Sequence, residues 1–102
     1  MRDLERPLKI VCICGLGIGS SFILAETVRR AVKALGLRAR IEVSDYSTAA
    51  LQDADVYVTN ISFYEKIKRQ KPDAQVIVIR DYTDHKYIAN ELSKILGRDK
   101  QP

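Results

Sequence analysis

One short run concentrates the reactive and the unusually flexible residues of the chain. Cys14-Gly15-Leu16-Gly17-Ile18-Gly19-Ser20-Ser21 holds a thiol, three of the five glycines and two adjacent hydroxyls. Glycine permits positive φ and lets backbone N–H groups approach a ligand with no Cβ in the way. A run of such amides leading into a helix N-terminus is an anion site suited to phosphate. A cysteine at its mouth sits in positive potential, which favours the thiolate and lowers the pKa below the free value of about 8.5. An activated thiolate beside a phosphate cradle points to a phosphocysteine intermediate. The competing reading is a tight turn with a buried, inert Cys14.

Other glycine-loop chemistries fail on the letters. A Walker loop needs Gly-Lys-Ser/Thr, and no lysine follows Gly19. A G-x-G-x-x-G dinucleotide fingerprint starting at Gly15 requires glycine where Ser20 stands. Cys12 lies within the preceding apolar run and reads as core. Two cysteines two residues apart do not make a usual structural disulfide. With His85 as the only histidine, one chain cannot assemble a four-ligand zinc site. Reduced thiols in a reducing compartment are expected, with no metal and no cofactor.

The loop needs a scaffold, and the flanking patterns supply one. Leu8–Cys14 is apolar except for Lys9, as in a strand covered on both faces. A helix follows, capped by Ser20 or Ser21 and running to about Leu35, with an apolar stripe at Leu24, Val28, Ala31 and Leu35. Gly36 stops it. Residues 38–43 alternate and predict a second strand, at an edge. Tyr46–Gln52 reads as a short helix or turn. Val56–Thr59 is a third strand, Ser62–Gln70 a helix stopped by Pro72, Gln75–Ile79 a buried fourth strand and Asp84–Leu96 a final helix. Along that last helix His85, Ile88, Leu92 and Leu96 share a face. Alternating strands and helices predict an α/β fold, a parallel sheet with helices on both faces. Ligand sites in such folds lie beyond the carboxyl ends of the strands, where the strand order reverses. A central first strand puts the cysteine loop at that place.

Composition agrees. The 102 residues are 46% hydrophobic and 29% charged, as expected of one soluble domain, 1–102, with a core of about 8–97. No stretch approaches the ~20 apolar residues that span a bilayer, and MRDLERP has no signal-peptide core. The expected location is cytoplasmic, without membrane insertion. A net charge of +4 favours anionic partners in a general way. Its densest basic run, Lys66–Lys71, reads as a solvated helix end, and no nucleic-acid motif accompanies it.

With these residues in view, C-G-x-G-x-G-S-S after an apolar strand resembles the phosphorylation loop of the enzyme IIB components of the bacterial sugar phosphotransferase system. The likeness is nearest to the ascorbate and galactitol groups and extends from about Leu8 to Leu96. It implies a four-stranded parallel sheet in order 2-1-3-4, like the low-molecular-weight tyrosine phosphatases. It further implies that Cys14 accepts a phosphoryl group from a histidine of enzyme IIA. Cys14 then passes it to a sugar or ascorbate-like substrate carried by membrane enzyme IIC. Gly15, Leu16, Gly17, Ile18, Gly19, Ser20 and Ser21 would hold the phosphate.

The phosphatase relatives share the fold and the nucleophile and supply the main alternative. Their C-x5-R-S/T signature clamps phosphate with a bidentate arginine, whereas Ser20 stands at that place here. They also use an aspartate as general acid, typically before proline. Asp81 and Asp84 lie in a suitable loop, RDYTDH, but no Asp-Pro pair is present. Without the arginine a phosphocysteine is more readily handed on than hydrolysed, which favours a carrier. Asp81 reads as the cap of a turn and His85 as an ordinary helix residue. Asn60–Tyr64 on the same rim, with Leu16, Ile18 and Phe22, predicts an apolar collar for partner docking. A third reading is a phosphorylation-sensing regulatory module, but the sequence carries no attached DNA-binding domain.

Overall fold

A computed structural model describes residues 7–13, 18–45 and 53–96, with the backbone alone for residues 18–20 and for Ser21. The predicted helix or turn at Tyr46–Gln52 lies outside the described residues. Four strands, β1 (Leu8–Ile13), β2 (Ala39–Ser44), β3 (Val56–Thr59) and β4 (Val76–Val78), alternate with helices α1 (Ile18–Ala34), α2 (Ile61–Gln70) and α3 (His85–Leu96). The sheet is parallel throughout, in the order β2-β1-β3-β4. This is the predicted low-molecular-weight tyrosine phosphatase-like arrangement, with β1 internal and β2 at an edge.

Period-two alternation divides the core between the two faces of the sheet. Ile10, Cys12, Val56, Val58 and Ile77 pack with Leu24, Val28 and Ala31 of α1 and with Ile88 and Leu92 of α3. The intervening Val11, Ile13 and Tyr57 turn the other way and meet Ile67 of α2. Helices therefore cover both faces, and the two internal strands, LKIVCI and VYVT, with the edge strand VIV, are largely apolar on each. Leu96 joins the first core from the end of the predicted α3 face, while His85, at its beginning, is half-buried.

The ends of the elements follow local chemistry. Gly36 has φ +69°, the left-handed conformation that glycine adopts without Cβ strain. Its N–H donates to the Lys33 carbonyl, and that of Leu37 donates to the Val32 carbonyl. This is a Schellman closure, sealed by Val32 and Leu37 against the core. Hydrogen bonds from Tyr57 N–H to the Gln75 carbonyl and from Ile79 N–H to the Thr59 carbonyl extend β4 pairing across the predicted Gln75–Ile79. At the end of α2 the Lys68 ammonium donates to the Pro72 and Ala74 carbonyls, and Lys71 pairs with Asp53. The basic run thus finishes a helix, as its position predicts.

Two boundaries depart from expectation. Helix α1 begins at Ile18, so Ser20 and Ser21 occupy its first turn and do not precede it as caps. Helix α2 begins at Ile61, because the Asn60 side chain accepts from the Ser62 N–H at 2.9 Å and caps it. A good cap two residues upstream of Ser62 decides that start.

Candidate functional site

Every strand of a parallel sheet ends on the same edge, and every following helix starts there. That edge collects Ile13 at the end of β1, Thr59 and Asn60 after β3, and the 79–84 segment after β4. Cys14, Gly15, Leu16 and Gly17 lie outside the described residues. They join Ile13, at the end of an internal strand, to Ile18, the first residue of α1. Of Ile18, Gly19, Ser20 and Ser21 the backbone is described, and it forms the first turn of α1. The first four N–H groups of a helix have no intrahelical partner. Neither α1 nor α2 carries an acidic residue in its first turn to offset the positive end of its dipole. Anions are favoured there.

Of the two cysteines, Cys12 is among the described residues. Cys12 is fully buried, and loss of hydration pushes its thiol up from 9.0 to about 12, with the charge of Arg29 pulling partly back. It is a core residue, as its place in the strand predicts, and is no nucleophile at neutral pH.

The segment after β4 is fastened on several sides. Tyr82 accepts from the Asn60 side-chain amide through its hydroxyl at 3.1 Å, and its carbonyl accepts from the Thr27 hydroxyl of α1. Asp81 accepts from the Thr83 hydroxyl at 2.6 Å and from the Thr83 N–H at 2.9 Å. Those two bonds, the hydroxyl foremost, hold its carboxyl below the usual range. Asp84 accepts from the Tyr87 N–H and caps α3. Both aspartates are therefore occupied locally as acceptors, Asp81 as the turn cap predicted. Asp81 is held ionised, which is the wrong state for protonating a leaving group at neutral pH.

The predicted collar is present in part. Phe22 and Ile61 are each 67% exposed, too wet for Phe22 to staple α1 to the core. Phe63 departs from the expectation by packing inward against the α2-side core, and Tyr64 is half-buried. The side chains of Leu16 and Ile18 lie outside the described residues. Sequence reading missed Ile23, Val43 and Tyr87, which complete the exposed large apolar residues among those described. All five stand on the same edge: Phe22 and Ile23 early in α1, Ile61 and Tyr87 in the first turns of α2 and α3, Val43 near the end of β2. Beside them is a cleft of about 620 Å³ lined by Asn60, Ile61, Val78, Ile79, Arg80 and Tyr82. A second cleft, of about 560 Å³ with Arg29, Lys33 and Arg38 in its wall, lies toward the opposite edge between α1 and β2.

Also missed was Thr59, a fully buried polar residue whose hydroxyl donates to the Ile13 carbonyl at 3.0 Å. Its signal was a single hydroxyl closing the otherwise apolar run VYVT.

Comparison with known proteins agrees with the fold. The family model for the lactose/cellobiose-specific IIB subunit of the PTS system matches residues 9–94. The mannitol-specific cryptic EIICB component of Escherichia coli (strain K12) is 36% identical over 81 residues, covering 78% of this chain and 17% of that protein. For the mannitol-specific EIICBA component of Klebsiella pneumoniae the identity is 34% over 83 residues, covering 80% of this chain and 13% of the relative. The chain thus spans less than a fifth of these mannitol-specific relatives. The ascorbate-specific EIIB component of Mycoplasma pneumoniae is 28% identical over 94 residues, covering 90% of this chain and 98% of that one. Among solved structures, the lactose-specific IIB domain of Streptococcus pneumoniae superposes with a TM-score of 0.64 at 19% identity, over 90% of this chain and 97% of that one, a likeness of fold. With the family model matching nearly the whole described chain and the sheet order agreeing, the chain belongs to the IIB family of the sugar phosphotransferase system.

Proposed function

We propose that the protein is a cytoplasmic phosphoryl carrier, a single IIB domain over 1–102 with its core at about 8–97, and that Cys14 is the group that carries. The Cys14 thiolate attacks the phosphorus of a phosphohistidine on enzyme IIA; an S–P bond forms, the N–P bond breaks, and the imidazole leaves with a proton. A hydroxyl oxygen of the substrate presented by membrane enzyme IIC then attacks the same phosphorus. The O–P bond forms, the S–P bond breaks, and the thiolate is restored as the hydroxyl proton is released. Backbone amides of Gly15, Leu16, Gly17, Ile18, Gly19, Ser20 and Ser21, with the two serine hydroxyls, hold the phosphoryl oxygens. The substrate is a sugar or a sugar-like polyhydroxy compound, the class to which the mannitol, ascorbate and lactose of the relatives' names belong.

One observation supports this most. The thiol directly follows the end of an internal strand, and the helix three glycine-rich positions later starts with no acidic residue in its first turn. Transfer from a phosphorylated IIA chain tests it: the acid-labile adduct should vanish in Cys14→Ser and persist in Cys12→Ala. Label retained by Cys14→Ser contradicts the proposal.

The hydrolytic alternative lacks both its arginine, at Ser20, and an available acid, since Asp81 and Asp84 are engaged as caps. Aryl phosphate turnover should therefore fall below the ordinary enzyme range of ~1–1000 per second.

A further inference from the structure

We infer that Thr59 is a positioning residue for phosphoryl transfer: its hydroxyl, bonded to the Ile13 carbonyl, sets the direction in which the backbone enters the cysteine loop. The inference rests on the reading of Cys14 as phosphoryl acceptor.

The register carries the argument. β1 and β3 pair through Ile10–Val56, Val11–Tyr57 and Cys12–Val58. Tyr57 and Thr59 use their backbone groups toward β4, through Tyr57 N–H to Gln75 and Ile79 N–H to the Thr59 carbonyl. Val56 and Val58 are thus the residues whose N–H and C=O face β1, by the alternation of a parallel ladder. The next N–H in that series belongs to Asn60, and its ladder acceptor would be the Ile13 carbonyl. Asn60 has instead left the strand to cap α2, with φ −91° and ψ 174°. The Thr59 hydroxyl takes over that acceptor at 3.0 Å. A hydroxyl so deeply buried is unfavourable without a partner, and valine would suit the apolar strand equally well in shape. The threonine therefore adds one bond at one place, the last backbone carbonyl before the thiol residue.

That bond fixes the peptide that joins Ile13 to Cys14. Because a peptide unit is planar, holding its carbonyl also holds the plane from which the loop departs. Displacement of a reacting group by about 1 Å can cost on the order of 100-fold in rate. A hydroxyl that only satisfied a buried carbonyl would affect stability and leave the transfer step alone.

The two roles separate in one experiment, single-turnover transfer from a phosphohistidine-bearing IIA donor to wild type, Thr59→Val and Thr59→Ser. Thr59→Val should slow the saturated transfer rate by about 10- to 100-fold with the half-saturating donor concentration unchanged. Thr59→Ser, which keeps the hydroxyl, should restore it. The midpoint of the pH profile for Cys14 alkylation by iodoacetamide should rise in Thr59→Val and return in Thr59→Ser. If Thr59→Val does not fold by circular dichroism, Thr59→Ala takes its place in the same comparison. A wild-type rate and alkylation profile in a folded hydroxyl-free variant would overturn the inference, as would a Thr59→Ser protein as slow as that variant. Wild-type protein that takes no label on Cys14 would instead overturn the reading beneath it, so the two failures are distinct.

Discussion

At the residue scale, burial decides the chemistry of Cys12. Cys12 faces the α1–α3 core and holds its proton to about pH 12, while the unfolded chain releases it near 9. Between those values the native state binds more protons than the unfolded state, so the sign is fixed: this contribution is full below pH 9 and is lost as pH rises toward 12. Denaturant melts from pH 8 to 11 should show a declining stability whose slope is shallower in Cys12→Ala; equal slopes would contradict the burial argument. In the native protein at neutral pH a thiol reagent should modify one cysteine, Cys14, and reach Cys12 only on unfolding. The burial of Cys12 was legible in the sequence, because the interior of an apolar strand leaves a small side chain no way to water. Thr59 was not. A threonine at a strand end has many uses, and only the departure of Asn60 from the ladder gives this one its meaning.

At the scale of elements, the apolar runs of β1, β3 and β4 announced themselves because strands covered on both faces cannot afford polar alternation. Helix starts were less legible. Glycines and serines at 15–21 offer several N-termini, and local letters alone do not choose among them. Asn60 falls within the predicted docking collar, whereas its side chain caps α2 and reaches Tyr82. Asn60→Ala should therefore destabilise the protein by about 1 kcal/mol, measured by urea unfolding, and an unchanged midpoint would remove the cap from the account. Gly36 was legible as a stop, and its left-handed φ explains why. Gly36→Ala meets no side chain or backbone within 4 Å, so its cost is conformational alone, roughly 1 kcal/mol. A loss much larger than that would mean that the Schellman closure supports more than the end of α1.

At the scale of the whole molecule, one edge of the sheet gathers the end of β1, the starts of the helices and, among the described residues, the five exposed large apolar side chains. Parallel topology makes this concentration possible, since it brings every strand end and helix start to one side. Phe22 and Ile61 are wet enough that Phe22→Asp combined with Ile61→Asp should leave the melting temperature nearly unchanged. If this edge receives the phosphoryl donor, that double variant should raise the donor concentration for half-maximal transfer by about tenfold or more, and an unchanged value would place docking elsewhere. Phosphoryl transfer to Cys14 makes one new bond, S–P, and that bond can be identified directly. The protein should be phosphorylated by its IIA donor, examined by phosphorus NMR and mapped by mass at neutral pH. One phosphoryl group in an S–P linkage on the peptide containing Cys14 is the expected result. An N–P linkage at His85, the only histidine in the chain, would contradict it.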